Sequence, residues 1–171
     1  AQPPLAARNF KFCHVEGPDR RGVDCALLYN PRFFEPTDVK LYPYVPKLEK
    51  DSNFVTRGFL TVKGTLGGDE LAVIVCHLPS RAATSYYREL GAEQVRLLKD
   101  SLIKAQPQLK VIVMGDMNDD PMDLSMANSL KARKSIKEVK ADDMFNPWWK
   151  TLEEGNGSIK YRGNYNLFDQ I

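Results

Sequence analysis

The stretch Val111–Pro121 reads Val-Ile-Val-Met-Gly-Asp-Met-Asn-Asp-Asp-Pro. It begins with four apolar residues, which stop at Gly115 and are followed by polar side chains. A short apolar run bounded by turn residues is typical of a strand that is buried on both faces. In open α/β sheets, ligands bind beyond the carboxyl ends of such strands. We therefore predict a central strand that brings Asp116 and Asn118 to the rim of a sheet.

The composition is that of a single globular domain. The chain has 171 residues, of which 43% are hydrophobic and 27% charged, and its net charge is +2. So small a net charge excludes a strong overall field that would attract nucleic acid or membranes. The three cysteines form no Cys-x-x-Cys pair, so we expect buried free thiols. No apolar run predicts a transmembrane segment, and neither the compartment nor the oligomeric state can be inferred from the sequence.

The clearest elements precede the opening stretch. Phe59–Leu66 and Leu71–Cys76 flank a Gly-Gly-Asp turn, which predicts a β-hairpin whose second strand is central. Ser85–Ala105 carries a mostly apolar stripe at helical spacing, and Pro107 ends this helix. The alternation of hairpin strands with single helices predicts an α/β sandwich of mixed sheets.

The remaining elements have weaker signals. They are strands at Phe10–Val15 and Val23–Tyr29, an irregular proline-containing segment at Phe33–Lys50 with a short strand near Val39–Tyr42, a helix that Asp120 caps and that runs to about Arg133, and a closing hairpin of Ser158–Arg162 and Tyr165–Ile171.

Two strand ends carry the first candidate site residues. Asp116 can bind a hard metal ion or accept a proton from water, and Asn118 can donate a hydrogen bond to a phosphate oxygen. Both are expected on one side, since residues two apart in an extended stretch face the same way. His77 follows the other buried strand and can act as a general acid or hydrogen-bond donor. The alternatives are a polar turn for the first two and a structural histidine for His77.

Other candidates are charged residues in strands and turns. Asp169 interrupts an apolar strand, where it is either partnered by a histidine that it orients or an exposed edge residue. Arg81, Arg57 and Arg162 can bind substrate phosphate, because a planar guanidinium matches phosphate oxygens. Each of the three can equally be a solvated surface charge. His14 is predicted to be structural.

Taken together, three ordered motifs resemble a known family. They are Cys76-His77-Leu78, Gly115–Pro121 with the pattern Gly-Asp-x-Asn, and Leu167–Ile171 with the pattern Asp-Gln-Ile. This set resembles the endonuclease/exonuclease/phosphatase superfamily with its deoxyribonuclease-like fold. His77–Arg81, Lys160–Gly163 and the Pro18–Asp24 segment resemble a bacterial branch of it.

The resemblance implies a fold, a reaction and roles for four residues. The fold is a four-layer α/β/β/α sandwich of two mixed, mostly antiparallel sheets flanked by helices, and the reaction is hydrolysis of phosphate esters with Mg²⁺ or Mn²⁺. Asp116 would orient or activate the attacking water and contribute to the metal site, and Asn118 would contact the scissile phosphate. His77 would contact the phosphate or the leaving group, and Asp169 would orient a further histidine.

The sequence departs from this family pattern at both ends. The early Asn and the metal-binding Glu of the family have no match before Phe10, and the surroundings of Glu16 do not fit. The terminal Ser-Asp-His of the family also has no match. We therefore expect residues 1–171 to form a single partial domain that is truncated at both ends, and to be weakly active or inactive by itself.

The leading hypothesis is a metal-dependent phosphoesterase, with a nuclease-type phosphodiesterase slightly ahead of other members. The alternative is a degenerate, non-catalytic member of the fold that acts as a binding module. Expected partners are a phosphate-ester substrate and, for the nuclease, nucleic acid. The absence of an apolar membrane-docking hairpin weakens a sphingomyelinase, and the sequence does not separate DNA, RNA, phospholipid and inositol phosphate as substrates.

Overall fold

A computed structural model describes residues 9–171, and its main feature is a five-stranded mixed sheet. The strands are β3 (Phe34–Tyr42), β4 (Phe59–Leu66), β5 (Asp69–His77), β6 (Lys110–Asp116) and β11 (Asp169–Gln170). Their order in the sheet is β11-β6-β5-β4-β3. Within this sheet, β5 and β6 are the parallel pair, because helix α1 (Ser85–Ala105) crosses over between them.

Smaller elements surround this sheet. They are the antiparallel ribbon of β1 (Lys11–His14) and β2 (Ala26–Tyr29), the parallel pair β7 (Ala132–Arg133) and β8 (Met144–Phe145), the short helix α2 (Trp148–Glu153), and the hairpin of β9 (Ile159–Tyr161) and β10 (Asn164–Asn166).

Strand β5 separates two hydrophobic cores. Its residues Ala72, Ile74 and Cys76 belong to the core under α1, whereas Val73 and Val75 belong to the core under the β1–β2 ribbon. This alternation follows from the two-residue period of a strand, and it explains why the strand is apolar on both faces. The predicted α/β sandwich is confirmed, with a helix layer, a mixed sheet and a second β layer.

The predicted hairpin and the bounds of α1 are confirmed, but the predicted helix after Asp120 is wrong. Only Ser125–Ser129 forms a short helical turn there. The Asp120 carboxylate accepts the backbone N–H of Leu167 at 2.6 Å, so it holds a distant segment. Pro121, Met126 and Leu130 are nevertheless buried, so the segment packs against the core without forming the longer helix.

Two further predictions are corrected. The strand predicted near Val39–Tyr42 is present but longer, since residues 34–42 form strand β3 at the edge of the sheet. A register shift between Pro36 and Asp38 accommodates the proline. The closing hairpin is confined to β9 and β10. After Asn166 the chain buries Leu167 and joins the main sheet as β11.

Among residues 9–171, no helix combines the length and the apolar character that a membrane crossing requires. The cysteines Cys13, Cys25 and Cys76 are buried free thiols, as expected.

Candidate active site

Three candidate side chains line up across one end of the main sheet. His77 ends β5 and Asp116 ends β6, and these two residues are register partners. Asp169 begins β11 and is the register partner of Asp116 on its other side. Register partners on neighbouring strands present their side chains to the same face of a sheet. We call His77, Asp116 and Asp169 the His-Asp-Asp row.

The row is accessible and lies on a defined face. His77 Nε2 is 3.5 Å from Asp116 Oδ2, and each side chain is about one-third exposed. His77 continues the series of alternate β5 residues, Val73 and Val75, that faces the β1–β2 ribbon. The row therefore lies on the face of the main sheet that packs against the second β layer, just beyond that core.

The peptide group of Leu78 connects the row to two further candidates. Its N–H donates to the Asp116 carbonyl at 2.9 Å. Its carbonyl oxygen accepts Nδ2 of Asn118 at 2.9 Å and Nη2 of Arg57 at 3.0 Å. Leu78, Asn118 and Arg57 are all buried. This carbonyl thus fixes the amide and the guanidinium directly beside His77.

Asn118 does not continue the strand. Its φ is +52°, in the left-handed region that asparagine tolerates better than most residues. Its backbone N–H donates to Asp116 Oδ1 at 2.9 Å. Contrary to the prediction, Asp116 and Asn118 therefore do not lie in one extended stretch, because the chain turns tightly at Asn118. One amide N–H is already used by Leu78, and the other remains for a ligand.

The surroundings of His77 favour its neutral form. Burial lowers the pKa of His77 from its usual value, and the positive charge of nearby Arg57 lowers it further. The negative charge of Asp116 opposes these two effects but does not outweigh them. At neutral pH the ring is then uncharged, with one nitrogen that donates and one that accepts a hydrogen bond.

We expect an NMR titration of the metal-free protein to give a His77 midpoint below about 6.5, the value of an unperturbed histidine. Because the folded-state pKa is the lower one, the unfolded state binds more protons, and stability is lost as the pH falls below about 6.5. The His77→Gln variant assigns the resonance. A midpoint at or above the unperturbed value would contradict the burial argument.

Arg81 donates to the Asn118 carbonyl at 3.1 Å, but its other polar partners are carboxylates outside the row. Its guanidinium contacts Asp119 at 3.3 Å, Asp120 at 3.1 Å and Asp123 at 2.8 Å. Its Cζ also lies 4.4 Å from the centroid of the Phe168 ring. These contacts fix the loop after His77 to the turn after Asn118, which favours a structural role over the predicted phosphate contact.

We expect Arg81→Gln to lower the free energy of unfolding by about 2 kcal/mol, because it leaves three partly buried carboxylates without their shared cation. Urea unfolding measures this loss. The matched control is Arg162→Gln at an exposed hairpin tip, for which a change within about 0.5 kcal/mol is expected. An unchanged unfolding free energy together with weaker substrate binding would restore the phosphate role of Arg81.

The other two arginines differ from each other. Arg57 is buried beside the row through Leu78, and its Nη1 lies 3.4 Å from Asp19. Arg162 is exposed at the β9–β10 turn, with its guanidinium over the Tyr161 ring, and no contact joins it to the row among the described residues. Their roles as phosphate ligands stay predictions.

The sequence reasoning missed two residues that shape the site. Gln170 is buried, donates to the Asp119 carbonyl at 2.6 Å and accepts from Asn146 at 2.7 Å. It thereby holds β11 in place so that the neighbouring Asp169 is presented outward. The carbonyl of Leu78 was also missed, and no side-chain pattern could have revealed a backbone acceptor.

The carboxylate oxygens of the row are the type of ligand that a divalent cation prefers, but the row contains only two carboxylates. Asp116 and Asp169 are hard carboxylate ligands on adjacent strands, and Mg²⁺ is usually held by one or two carboxylates with waters and substrate oxygens. In the part of the chain that the structure describes, no three His, Cys, Asp or Glu side chains converge on one point. Asp116 is the described residue that would hold such a cation.

Comparison with models of protein families identifies one family that matches this chain. A model described as the endonuclease/exonuclease/phosphatase family matches residues 1–171. No curated protein matches the chain.

Three solved structures illustrate the similarity in fold. The catalytic domain of human Nocturnin has a TM-score of 0.61 at 16% identity, over 99% of this chain and 62% of that one. TDP2 from D. rerio, complexed with a single-strand DNA product, has a TM-score of 0.59 at 18% identity, over 98% and 63%. ANGEL2, a 2′,3′-cyclic phosphatase, has a TM-score of 0.58 at 12% identity, over 81% and 44%. The chain thus spans less than two thirds of these structures, and at such low identity they establish the fold alone.

Proposed function

Because this chain belongs to the endonuclease/exonuclease/phosphatase family, we propose that the protein containing it is a metal-dependent phosphoesterase, more specifically a nuclease-type phosphodiesterase. The observation that carries the proposal is the His-Asp-Asp row. It gathers an imidazole and two carboxylates from three adjacent strands at a solvent-accessible sheet edge. These residues come from three motifs that are far apart in the sequence, which supports the proposal.

Asp116 is proposed to orient and deprotonate the attacking water. The N–H of Asn118 occupies its Oδ1, which fixes the carboxylate plane and leaves Oδ2 facing His77. The water oxygen then bonds to phosphorus, the proton moves to Oδ2, and the bond to the leaving oxygen breaks. Holding the carboxylate in one orientation lowers the entropic part of the barrier.

His77 and Asn118 are proposed to hold the phosphate. A neutral imidazole can donate its N–H to a phosphate oxygen or to the leaving oxygen, and the free amide N–H of Asn118 can donate to a second oxygen. Both donors lie beside the Leu78 carbonyl, which Arg57 also contacts, so their positions are coupled. A Mg²⁺ or Mn²⁺ ion bound through Asp116 would supply neutralisation of the phosphate charge.

A nuclease-type substrate is proposed over a phospholipid or an inositol phosphate. Support comes from the D. rerio structure, whose title names a single-strand DNA product, and from the absence of a membrane-docking hairpin in the sequence. The small net charge of +2 means that any nucleic-acid contact must be local rather than a general attraction.

The test is hydrolysis of bis(4-nitrophenyl) phosphate by the full-length protein with Mg²⁺ or Mn²⁺. We expect His77→Gln to lower the rate about 100-fold, because a side-chain hydrogen bond to the reacting phosphate is lost. The control, Arg32→Gln, changes an exposed arginine in the turn before β3 and should leave the rate unchanged.

Equal rates for the wild type, His77→Gln and the control would contradict the role of the row. A wild-type protein that binds a phosphate ester but never hydrolyses it would favour the alternative, a non-catalytic binding module.

A further inference from the structure

A second groove lies next to the row and, apart from Arg57, is lined by residues that the proposed mechanism does not use. It has a volume of about 470 Å³. Three loops form it: Asp19–Arg21 before β2, Phe54–Arg57 before β4, and Pro79–Ala83 after β5. The last loop begins two residues after His77, so the groove starts where the row ends.

The groove carries a net positive charge. Its lining contains the cations Arg20, Arg21 and Arg57 and the single carboxylate of Asp19. Asp19 accepts two bonds from Arg21, at 3.1 and 3.0 Å, and lies 3.4 Å from Arg57. One carboxylate thus holds two guanidinium groups side by side, and the lining retains an excess of two positive charges. Paired guanidinium groups of this kind are suited to phosphate oxygens.

Buried polar atoms on the same wall have no partner among the described residues. They are Oγ1 of Thr56 and Nε of Arg57, and both residues are more than nine-tenths buried. An unsatisfied buried donor costs free energy, typically about 1–3 kcal/mol. Both residues line the groove, so this wall has hydrogen-bonding capacity that no described residue uses.

The same groove also has an apolar side. Phe54 stacks on Tyr87 with ring centroids 4.4 Å apart, and Val55 next to it is exposed. Charged donors on one side and a flat apolar surface on the other suit an organic phosphate better than a free inorganic ion.

We propose that this groove binds a second phosphate group of the substrate, beyond the one hydrolysed at the His-Asp-Asp row. The proposal rests on the proposed function, and Arg57 joins the two places, since it contacts the Leu78 carbonyl beside His77 and also lines the groove. The substrate is then at least a bisphosphate, either a nucleic-acid strand or a small polyphosphorylated molecule.

The other basic cluster of the described chain does not compete for this role. Arg81 and Arg88 line neighbouring depressions, but Asp119, Asp120 and Asp123 already contact them. Three carboxylates thus contact the guanidinium groups of Arg81 and Arg88, which leaves less of their positive charge for an added anion.

The test measures binding without turnover, in EDTA and at several salt concentrations. The probes are a fluorescein-labelled single-stranded thymidine oligonucleotide and, as its competitor, myo-inositol hexakisphosphate. We expect the double variant Arg20→Gln/Arg21→Gln to weaken binding about tenfold and to lower the salt dependence by about one or two counterions. Arg32→Gln, an exposed arginine outside the groove, should bind as the wild type does.

A second variant is expected to strengthen binding, which a misfolded protein would not do. Asp19→Asn keeps a hydrogen-bond acceptor for the arginines but removes the one negative charge of the groove, so we expect binding about threefold tighter. If the variants change the affinity for the oligonucleotide more, the second phosphate belongs to a nucleic-acid strand. If they change the affinity for the inositol phosphate more, it belongs to a small polyphosphate.

The proposal is overturned if the wild type binds neither probe, if the double variant binds both as the wild type does, or if Asp19→Asn fails to tighten either. Hydrolysis of bis(4-nitrophenyl) phosphate, which carries one phosphate, is measured in parallel on the wild type. If the wild type hydrolyses this ester but the variants bind both probes as the wild type does, only the proposed second phosphate site is refuted. If the wild type does not hydrolyse the ester, the proposed function is refuted.

Discussion

Replacing Asp116 with asparagine is expected to lower the turnover number about 1,000-fold, because the amide cannot accept the proton of the attacking water. The substitution keeps the size of the side chain. It also keeps an oxygen that can accept the backbone N–H of Asn118, whose nitrogen lies 2.9 Å from Oδ1 of Asp116 in the wild type. The substrate is bound mainly by other groups, so KM should change little, and the loss should fall on kcat. Steady-state hydrolysis of a phosphodiester with Mg²⁺ measures both constants.

The control for this variant is Asp38→Asn, which neutralises a carboxylate paired with Lys40 on the edge strand β3. It should retain the wild-type turnover number, because strand β4 lies between β3 and β5, the nearest strand of the row. Thermal unfolding of each variant separates loss of catalysis from loss of fold. A folded Asp116→Asn protein with wild-type kcat would remove Asp116 from the mechanism.

The second large effect is expected from Gly115→Ala, which should lower the free energy of unfolding by about 4 kcal/mol or more. A Cβ at this position would lie 2.0 Å from the carbonyl oxygen of Cys76, its register partner on β5. The φ of Gly115 is also +133°, which L residues rarely adopt. To make room, β5 and β6 would have to separate where they carry His77 and Asp116.

Gly155→Ala is the matched control, since its φ is +80° but an added Cβ would meet nothing within 4 Å. It should cost only about 1 kcal/mol of backbone strain, so the difference between the two variants isolates the collision of the strands. Soluble yield and urea unfolding measure both. If Gly115→Ala were no more destabilising than Gly155→Ala, the close approach of the two strands would not be rigid.

These two variants test different parts of one motif. In the stretch that ends β6, the glycine permits the close contact of the strands, the aspartate points into the row, and the asparagine turns the chain. Glycine precedes the aspartate for a steric reason that is independent of the reaction, and a loss in either variant therefore has its own physical cause.

Much of the fold followed from the sequence alone. The hairpin of β4 and β5, the helix Ser85–Ala105 and the strand β6 were predicted because apolar period and turn residues are local signals. The same signals placed His77 and Asp116 at the ends of strands. The placement in a bacterial branch, the single partial domain and the roles of the row residues stay predictions.

Other features depended on contacts between distant residues. The helix predicted after Asp120 failed because its proposed cap instead binds Leu167, 47 residues later. Arg81 could be a phosphate ligand by sequence, but carboxylates up to 42 residues away surround it. Asn118 was expected to share an extended side with Asp116, and a left-handed turn places it instead.

The sequence by itself determined which strands are central and which polar residues end them, because hydrophobic periodicity is a property of neighbouring residues. Only the tertiary structure decided that His77, Asp116 and Asp169 form one row, that Arg57 is fixed beside it, and that carboxylates surround Arg81. Strand register, carbonyl acceptors and charge pairing join residues far apart in the chain. Their partners are selected by packing, which no local pattern encodes.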